Sequence, residues 1–572
     1  MDYTIRIGGE AGQGVQTVGD TLAKVFSRTG FHVFTHQDYE SRVRGGHNYY
    51  QVRFSDRPVS APRQGIDILI AFDNESILRY GGQVPDKGVA IYDSAALKQV
   101  FSGPALLDIP FSRLASEHAG SSIMANTVAV GAVMGIIGME LDILLAIIRE
   151  TFASKGDEVV TANSNAALSG HLHAVKKCKR CDFTLARHSP ARMLISGTEA
   201  IGLGTLASGC RFYAAYPMTP STGIMNYLAG KETEYGIVVE QAEDEISAIN
   251  MALGASYAGV RAMTGTSGGG FALMVEGLSL AGMTETPVVI ALGQRPGPAT
   301  GLPTRTEQGD LLFALFTAHG EFPRVIFAPG TPEQAFYLTN KAFDLAEKYQ
   351  IPAIVIFDQY LGDTCWTYEG FDLKRLAHTD YRLRGEAFSR LDSYRRHALT
   401  DSGVSPLGVP GDAIHLVVTD SDEHDEDGHI IEDAATRNAM VEKRLKRKIP
   451  ALTGEIAPPE LTGPPDAGIV LVGWGSTFGI MREAVGALSA EHSIAMLHFS
   501  EVWPLPSTGS FDYLGMLKQA KKTLCIEQNA TGQFARLFRS ETGFKFTEQI
   551  HRYDGRPFTV EELTGEISAR IG

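Results

Sequence analysis

Short apolar runs that end in glycine- or proline-rich turns and lead into amphipathic stretches recur along the whole chain. This alternation restricts the fold to mostly parallel sheets covered by helices on both faces. With 572 residues the chain is also too long for one hydrophobic core. Three blocks emerge. The first opens with a strand at 3–7 (YTIRI), a turn at 8–14 (GGEAGQG) and a helix in which Val15, Val18, Leu22, Val25 and Phe26 share one face. Strands at 67–72 and 88–93 and a small-residue helix near 126–139 complete it by about residue 185. The second block has a strand leading into the turn within 212–222, then strands at 236–240, 324–330 and 351–360. The third, from about Asp466, contains the strand-like runs GIVLVGWG, SIAMLHF and KTLCIEQN. The expected fold class is α/β, with three open, mostly parallel-sheet domains at 1–185, 192–368 and 466–572. A segment rich in charge and proline, 369–465, connects the last two.

Bulk electrostatics exclude two functions. A formal charge of −15 repels phosphate backbones and anionic lipid, so neither nucleic acid nor membrane is an expected partner. The longest apolar run, Val128–Met139, is too short and too rich in glycine to span a bilayer, and a cytoplasmic location is expected. Five cysteines make no disulfide framework. Only Cys178 and Cys181 lie close together, and without a second pair they read as a surface or frayed-helix feature rather than a zinc or iron–sulfur site.

Several segments bear chemistry. The glycines of the first turn follow GxxGxG rather than the dinucleotide pattern GxGxxG, so the turn offers only a generic anion seat. Backbone N–H groups at Gly12, Gln13 and Gly14 open a helix there, and Arg42 and Arg44 beside Gly45 and Gly46 are placed to complete the seat. In YPMTPST, Pro217 and Pro220 hold the hydroxyl of Thr219, three residues after Tyr216, in a fixed turn. The stretch EQAEDE (240–245) sets four carboxylates into six positions before a helix, where capping and catalysis are both served by acids. The glycines of TGTSGGG (264–270) let a ring or another chain approach the backbone. Arg305, in the loop 295–310, is suited to hold a carboxylate through two parallel hydrogen bonds or to form a loop salt bridge. The acidic segment 420–433, with His424 and His429, fits no metal-binding spacing and reads as a solvated inter-subunit loop.

Taken together, YPMTPST, EQAEDEISAINMALGASYAG, MTGTSGGGFALM and GLPTRTEQGDL resemble the α subunit of 2-oxoacid:ferredoxin oxidoreductases. GGEAGQGV and RVRGGHN resemble that family's γ domain, and VGWGST and CIEQNATGQ its transketolase-like C-terminal domain, so nearly the whole chain is covered. The resemblance implies thiamine diphosphate shared with a β subunit. Its pyrimidine ring would be held here, at Glu245, Ser267 and Gly268. The diphosphate, Mg2+ and a 4Fe–4S cluster would belong to the β subunit. Consistent with that split, no GDG metal–diphosphate motif occurs in the chain. Spacing to GASYAG, carried over from the family, selects Glu245 over Glu240 and Glu243 as the acid on the pyrimidine nitrogen. Tyr216, Thr219 and Arg305 are the implied substrate contacts, and Gly12, Gln13, Gly14, Arg44, Gly45 and Gly46 lie on the implied coenzyme A path. The implied reaction interconverts 2-oxoglutarate plus coenzyme A with succinyl-CoA plus CO2, with electrons passing to ferredoxin in an (αβ)2 assembly. The alternatives are pyruvate or another 2-oxoacid as substrate, or a non-catalytic scaffold.

Overall fold

The first strand runs Asp2–Ala11, through two glycines expected in a turn. A side chain at Gly8 would collide with Ser76, and one at Gly9 with Gln13, Phe72 and Val15, so the strand continues only because these residues have none. A computed structural model describes the chain except residues 43, 44, 104, 179, 180, 182, 184, 186–189 and 572. Arg44 therefore lies outside the described residues. The chain divides into two units: 1–195 with 363–371 and 558–563, and 196–362 with 372–557 and 564–572.

The first unit is built on an eight-stranded sheet in the order Leu106–Asp108, Val89–Tyr92, Ile68–Ala71, Asp2–Ala11, Gly45–Ser55, His32–Asp38, Cys365–Tyr368, Met193–Ser196. Its first four strands are parallel, whereas Gly45–Ser55 is antiparallel to both neighbours. The helix Val15–Arg28 buries the expected stripe of Val15, Val18, Leu22, Val25 and Phe26, and Phe26 stacks on Phe54 at 3.9 Å. Helices Ala125–Ile136 and Asp157–Lys177 meet backbone to backbone, since a Cβ at Gly131 or Gly170 would strike the other helix's carbonyls. At the end of the second of these helices, Cys178 and Cys181 are joined as a disulfide that packs on the unit's apolar core, not a frayed end.

In the second unit a seven-stranded sheet runs Glu501–Trp503, Val325–Phe327, Pro352–Asp358, Val288–Gln294, Ala262–Ser267, Phe212–Ala215, Val238–Gln241. It is parallel apart from the edge strand Glu501–Trp503. A five-stranded sheet follows, in the order Glu460–Thr462, Ile494–Phe499, Ile469–Trp474, Lys522–Glu527, Glu548–His551, of which only Glu460–Thr462 is antiparallel. One continuous apolar core serves both sheets, from Ile249, Ile290 and Ile354 to Val472, Trp474 and Phe538.

The connecting segment corrects one expectation. Its acidic loop is anchored rather than simply solvated: His424 is fully buried with its ring 3.9 Å from that of His397. Arg444 grips Glu423 with both guanidinium nitrogens, at 3.0 and 2.7 Å. Beneath the loop lies Glu285, whose carboxylate accepts from Lys443 at 2.5 Å and from Lys448. These cations hold the buried Glu285 carboxyl well below the usual carboxylate range against the opposing effect of burial.

Candidate active site

Register brings the carboxyl ends of four strands side by side, with Ala215 opposite Gln241, Thr264 opposite Ala214 and Ser267 opposite Gly293. Each strand runs directly into one of the candidate segments, and this is the edge where open parallel sheets bind ligands. Tyr216–Pro220, Glu243–Glu245, Gly268–Gly270 and Arg295–Asp310 are thus gathered at one sheet edge.

The acids separate into distinct roles. Asp244 is the N-cap of helix Glu245–Tyr257, and its half-buried carboxylate accepts the Ser247 N–H at 2.7 Å, an interaction that lowers its pKa. Glu243 and Glu240 are exposed. Glu245 is only 3% exposed. It begins the stripe Glu245, Ala248, Ile249, Ala252, Leu253, so the spacing that buries a helix face also turns this acid inward. Ile246 is 51% exposed because it lies one position off that stripe.

Glu245 Oε1 is buried and has no hydrogen-bond partner. The side chain lies against the first turn of the helix Gly268–Leu273, which follows Ala262–Ser267 directly: a Cβ on Gly270 would overlap both Glu245 Oε1 and Thr266 Oγ1. In the same turn Ser267 Oγ is buried and also without a partner. A buried polar atom left unpaired costs about 1–3 kcal/mol, so two such oxygens on one glycine turn mark a place where a ligand's polar atoms are expected.

Beside this turn the loop 295–310 contributes residues that sequence reasoning passed over. The Asp310 carboxylate is so close to Gly268 that a Cβ there would meet its oxygens at 2.7 and 2.9 Å. Burial pushes the Asp310 carboxyl up to about 6, with the Arg295 charge opposing. Glu307 is likewise raised, first by burial and then by Asp310. Arg295 donates to the Thr219 carbonyl at 2.9 Å, joining the YPMTPST turn to this loop. Asp310 is legible only as the acid that ends GLPTRTEQGD, whereas Arg295 carries no local signal. Arg305 is half-buried and packs its stem against Gly555, with Cβ and Cγ at 3.0 and 3.3 Å from where a side chain there would begin. Tyr216 is 41% exposed.

In the first unit, the glycine turn explains its composition by its backbone. Gly12 and Gly14 have φ of 94° and 77°, and Gly45 and Gly46 both have 73°, conformations that favour glycine. Gln13 spends its side chain on the turn itself, accepting the Glu10 N–H at 2.7 Å and donating to the Phe72 carbonyl at 3.3 Å. Among the described residues no three His, Cys, Asp or Glu side chains group as a metal site, and no helix is long and apolar enough to cross a membrane.

Residues 204–443 match the family described as pyruvate flavodoxin/ferredoxin oxidoreductase, thiamine diP-bdg, and residues 4–172 match pyruvate ferredoxin/flavodoxin oxidoreductase. The chain is 30% identical to a 2-oxoacid:ferredoxin oxidoreductase subunit alpha from Sulfolobus sp, covering 97% of this chain and 95% of the relative. It is 28% identical to the 2-oxoglutarate oxidoreductase subunit KorA of Mycobacterium tuberculosis, covering 100% and 92%. A solved structure of 2-oxoglutarate:ferredoxin oxidoreductase from Magnetococcus marinus, with 2-oxoglutarate, coenzyme A and succinyl-CoA bound, superposes with a TM-score of 0.91. It shares 31% identity and covers 100% of each chain.

Proposed function

We propose, from the premise that this chain belongs to the 2-oxoacid:ferredoxin oxidoreductase α subunits, that it supplies one half of a thiamine diphosphate site for the interconversion of 2-oxoglutarate plus coenzyme A with succinyl-CoA plus CO2. The observation that carries the reading is the buried, partnerless Glu245 oxygen over the Gly270 turn, inside the segment matched to thiamine-binding oxidoreductases. Two further features support the fit: Ser267 Oγ has no partner, and glycines at 268–270 leave the turn open to a flat ring. When bound, thiamine diphosphate supplies the electron sink that decarboxylation of a 2-oxoacid needs.

The chain's own residues do the rest. Glu245 Oε1 would hold a pyrimidine ring nitrogen and share a proton with it as a general acid–base group, and its burial keeps water from competing for that bond. Ser267 and Gly268 seat the ring. Arg305 and Thr219, with Tyr216, receive the carboxylates of a dicarboxylic 2-oxoacid, which brings two anionic groups and suits a guanidinium. In the first unit, Gly12, Gln13, Gly14, Arg44, Gly45 and Gly46 border the coenzyme A path. A β subunit holds the diphosphate, Mg2+ and a 4Fe–4S cluster and passes electrons to ferredoxin, in a cytoplasmic (αβ)2 enzyme whose domains follow the limits 1–185, 192–368 and 466–572.

Pyruvate is the second reading, favoured by the names of the matched families. Reconstitution with the β subunit and assay of several 2-oxoacids with coenzyme A and ferredoxin decides between them. The proposal expects the highest kcat/KM with 2-oxoglutarate, and a preference for pyruvate would overturn it.

A further inference from the structure

The loop that carries Arg305 takes its hydrogen bonds from far along the chain. Gln308 is 1% exposed and engaged at three atoms. Its backbone N–H donates to the Gln528 carbonyl at 2.7 Å, its Oε1 accepts the Gln528 N–H at 2.9 Å, and its Nε2 donates to the Trp474 carbonyl at 2.8 Å. Gln533 clamps the next turn: Nε2 donates to the Gly309 carbonyl at 2.6 Å and Oε1 accepts the Leu312 N–H at 2.9 Å. Upstream, the Thr306 N–H donates to the Gly555 carbonyl at 3.1 Å, and Gly555 leaves just enough room for the Arg305 stem. Thr306, Gln308, Gly309 and Leu312 are thus held by the C-terminal sheet and its connections, while the Asp310 N–H donates to Gln294 Oε1 at 2.9 Å.

The clamp is itself rigid. Asn529 Oδ1 accepts the N–H groups of Thr531, Gly532 and Gln533, which fixes where the Gln533 side chain starts. The fully buried Glu527 carboxylate accepts from Trp474 Nε1, Asn529 Nδ2 and the N–H groups of Phe534 and Ala535. Gln528 Nε2 donates to Ser476 Oγ at 2.9 Å, and that hydroxyl donates to Asp358 at the end of a central strand. Apart from Gln528 Oε1, which is buried without a partner, the groups in this chain of contacts are satisfied by groups that are themselves held, and this is how a supporting shell keeps a loop in one geometry.

We propose that the segment Glu527–Gln533 positions the substrate loop, with Gln533 and Gln308 as positioning residues that set where Arg305 and Asp310 stand. The role goes beyond subunit assembly, and it rests on the reading that Arg305 contacts the 2-oxoacid. A displacement of about 1 Å at a binding group can cost on the order of 10²-fold in kcat/KM, so a distant clamp can control substrate binding.

The test uses the enzyme reconstituted with its β subunit, in Gln533→Ala, Gln533→Glu and Arg305→Ala. Gln533→Ala is expected to raise KM for 2-oxoglutarate roughly tenfold while kcat and KM for coenzyme A stay within about twofold, a split that separates binding from chemistry. Amide hydrogen exchange at 306–312 should quicken in the same variant. Gln533→Glu keeps the acceptor for Leu312 and loses the donor to Gly309, so it should fall between the alanine variant and wild type. Unchanged exchange at 306–312 overturns the proposal, as does an unchanged KM in Gln533→Ala when Arg305→Ala raises it. Faster exchange with no effect of Arg305→Ala on KM supports the clamp and overturns the substrate role of Arg305 instead.

Discussion

At position 245 a carboxylate occupies a helix stripe that otherwise buries Ala248, Ile249, Ala252 and Leu253, and Gly270 is what makes room for it. Replacing Gly270 by alanine places a methyl group on Glu245 Oε1 and Thr266 Oγ1. The expected outcome is at least a tenfold loss of kcat/KM with an unchanged circular dichroism spectrum, since misplacing a catalytic group costs more than misplacing a surface one. Gly254→Ala, on the exposed side of the helix that begins at Glu245, is the control, because nothing lies within 4 Å of a Cβ there. If both variants keep wild-type kcat/KM, Glu245 does not need its present place. For Arg305→Ala the expected result is a raised KM for 2-oxoglutarate, and an unchanged KM would show that the guanidinium serves the fold alone. The sequence carried more at this scale than its four clustered acids suggest. Asp244 is legible as a capping acid at the start of the helix, whereas Glu245 is singled out only through the family resemblance, by its spacing to GASYAG, and its place on the buried stripe agrees with that choice. Ile246 is apolar yet exposed, because its place in the period points it outward.

Whole elements were legible wherever the pattern was local. The helix Pro332–Tyr349 and the strands Pro352–Asp358 and Ile494–Phe499 follow from apolar period and length, and so does the sheet edge where the turns collect. What could not be read is contact between distant elements, such as Gln308 with Gln528 or Lys443 with Glu285, because nothing in either segment specifies its partner. Two buried acids at the ends of elements, Asp358 closing a strand and Asp310 at the N-cap of the helix Leu311–Phe316, also store a pH dependence. Asp358 and Asp310 each have their carboxyl pushed up to about 6 by burial. The folded state therefore binds protons more tightly than the unfolded chain between about pH 4 and 6, and these two groups cost stability progressively as pH rises through that window. Thermal unfolding of Asp358→Asn measured at pH 4.5 and 7 tests the sign. Relative to wild type, Tm of the variant should compare more favourably at about pH 7 than at about pH 4.5. The opposite order would mean that Asp358 is ionised and stabilising in the fold.

At the scale of the molecule, the connecting segment holds its place through a buried ionic group in which one acid, Glu285, faces Lys443, Lys448 and His397. Removing the acid leaves two buried ammonium groups without their counter-charge. Glu285→Gln should therefore lose about 3–5 kcal/mol in denaturant unfolding, and a loss below about 1 kcal/mol would show that the lysines find water or lose their protons instead. On the proposed reading, the C-terminal sheet supports the sheet edge that bears Glu245, and that edge supplies one half of a catalytic site. Recording kcat for Glu245→Gln in the enzyme reconstituted with its β subunit, beside Glu243→Gln and with folding checked by circular dichroism, addresses that claim most directly. A fall of about 10²-fold or more for Glu245→Gln, with Glu243→Gln near wild type, is the predicted result. Retention of more than about a tenth of wild-type turnover by Glu245→Gln would contradict it.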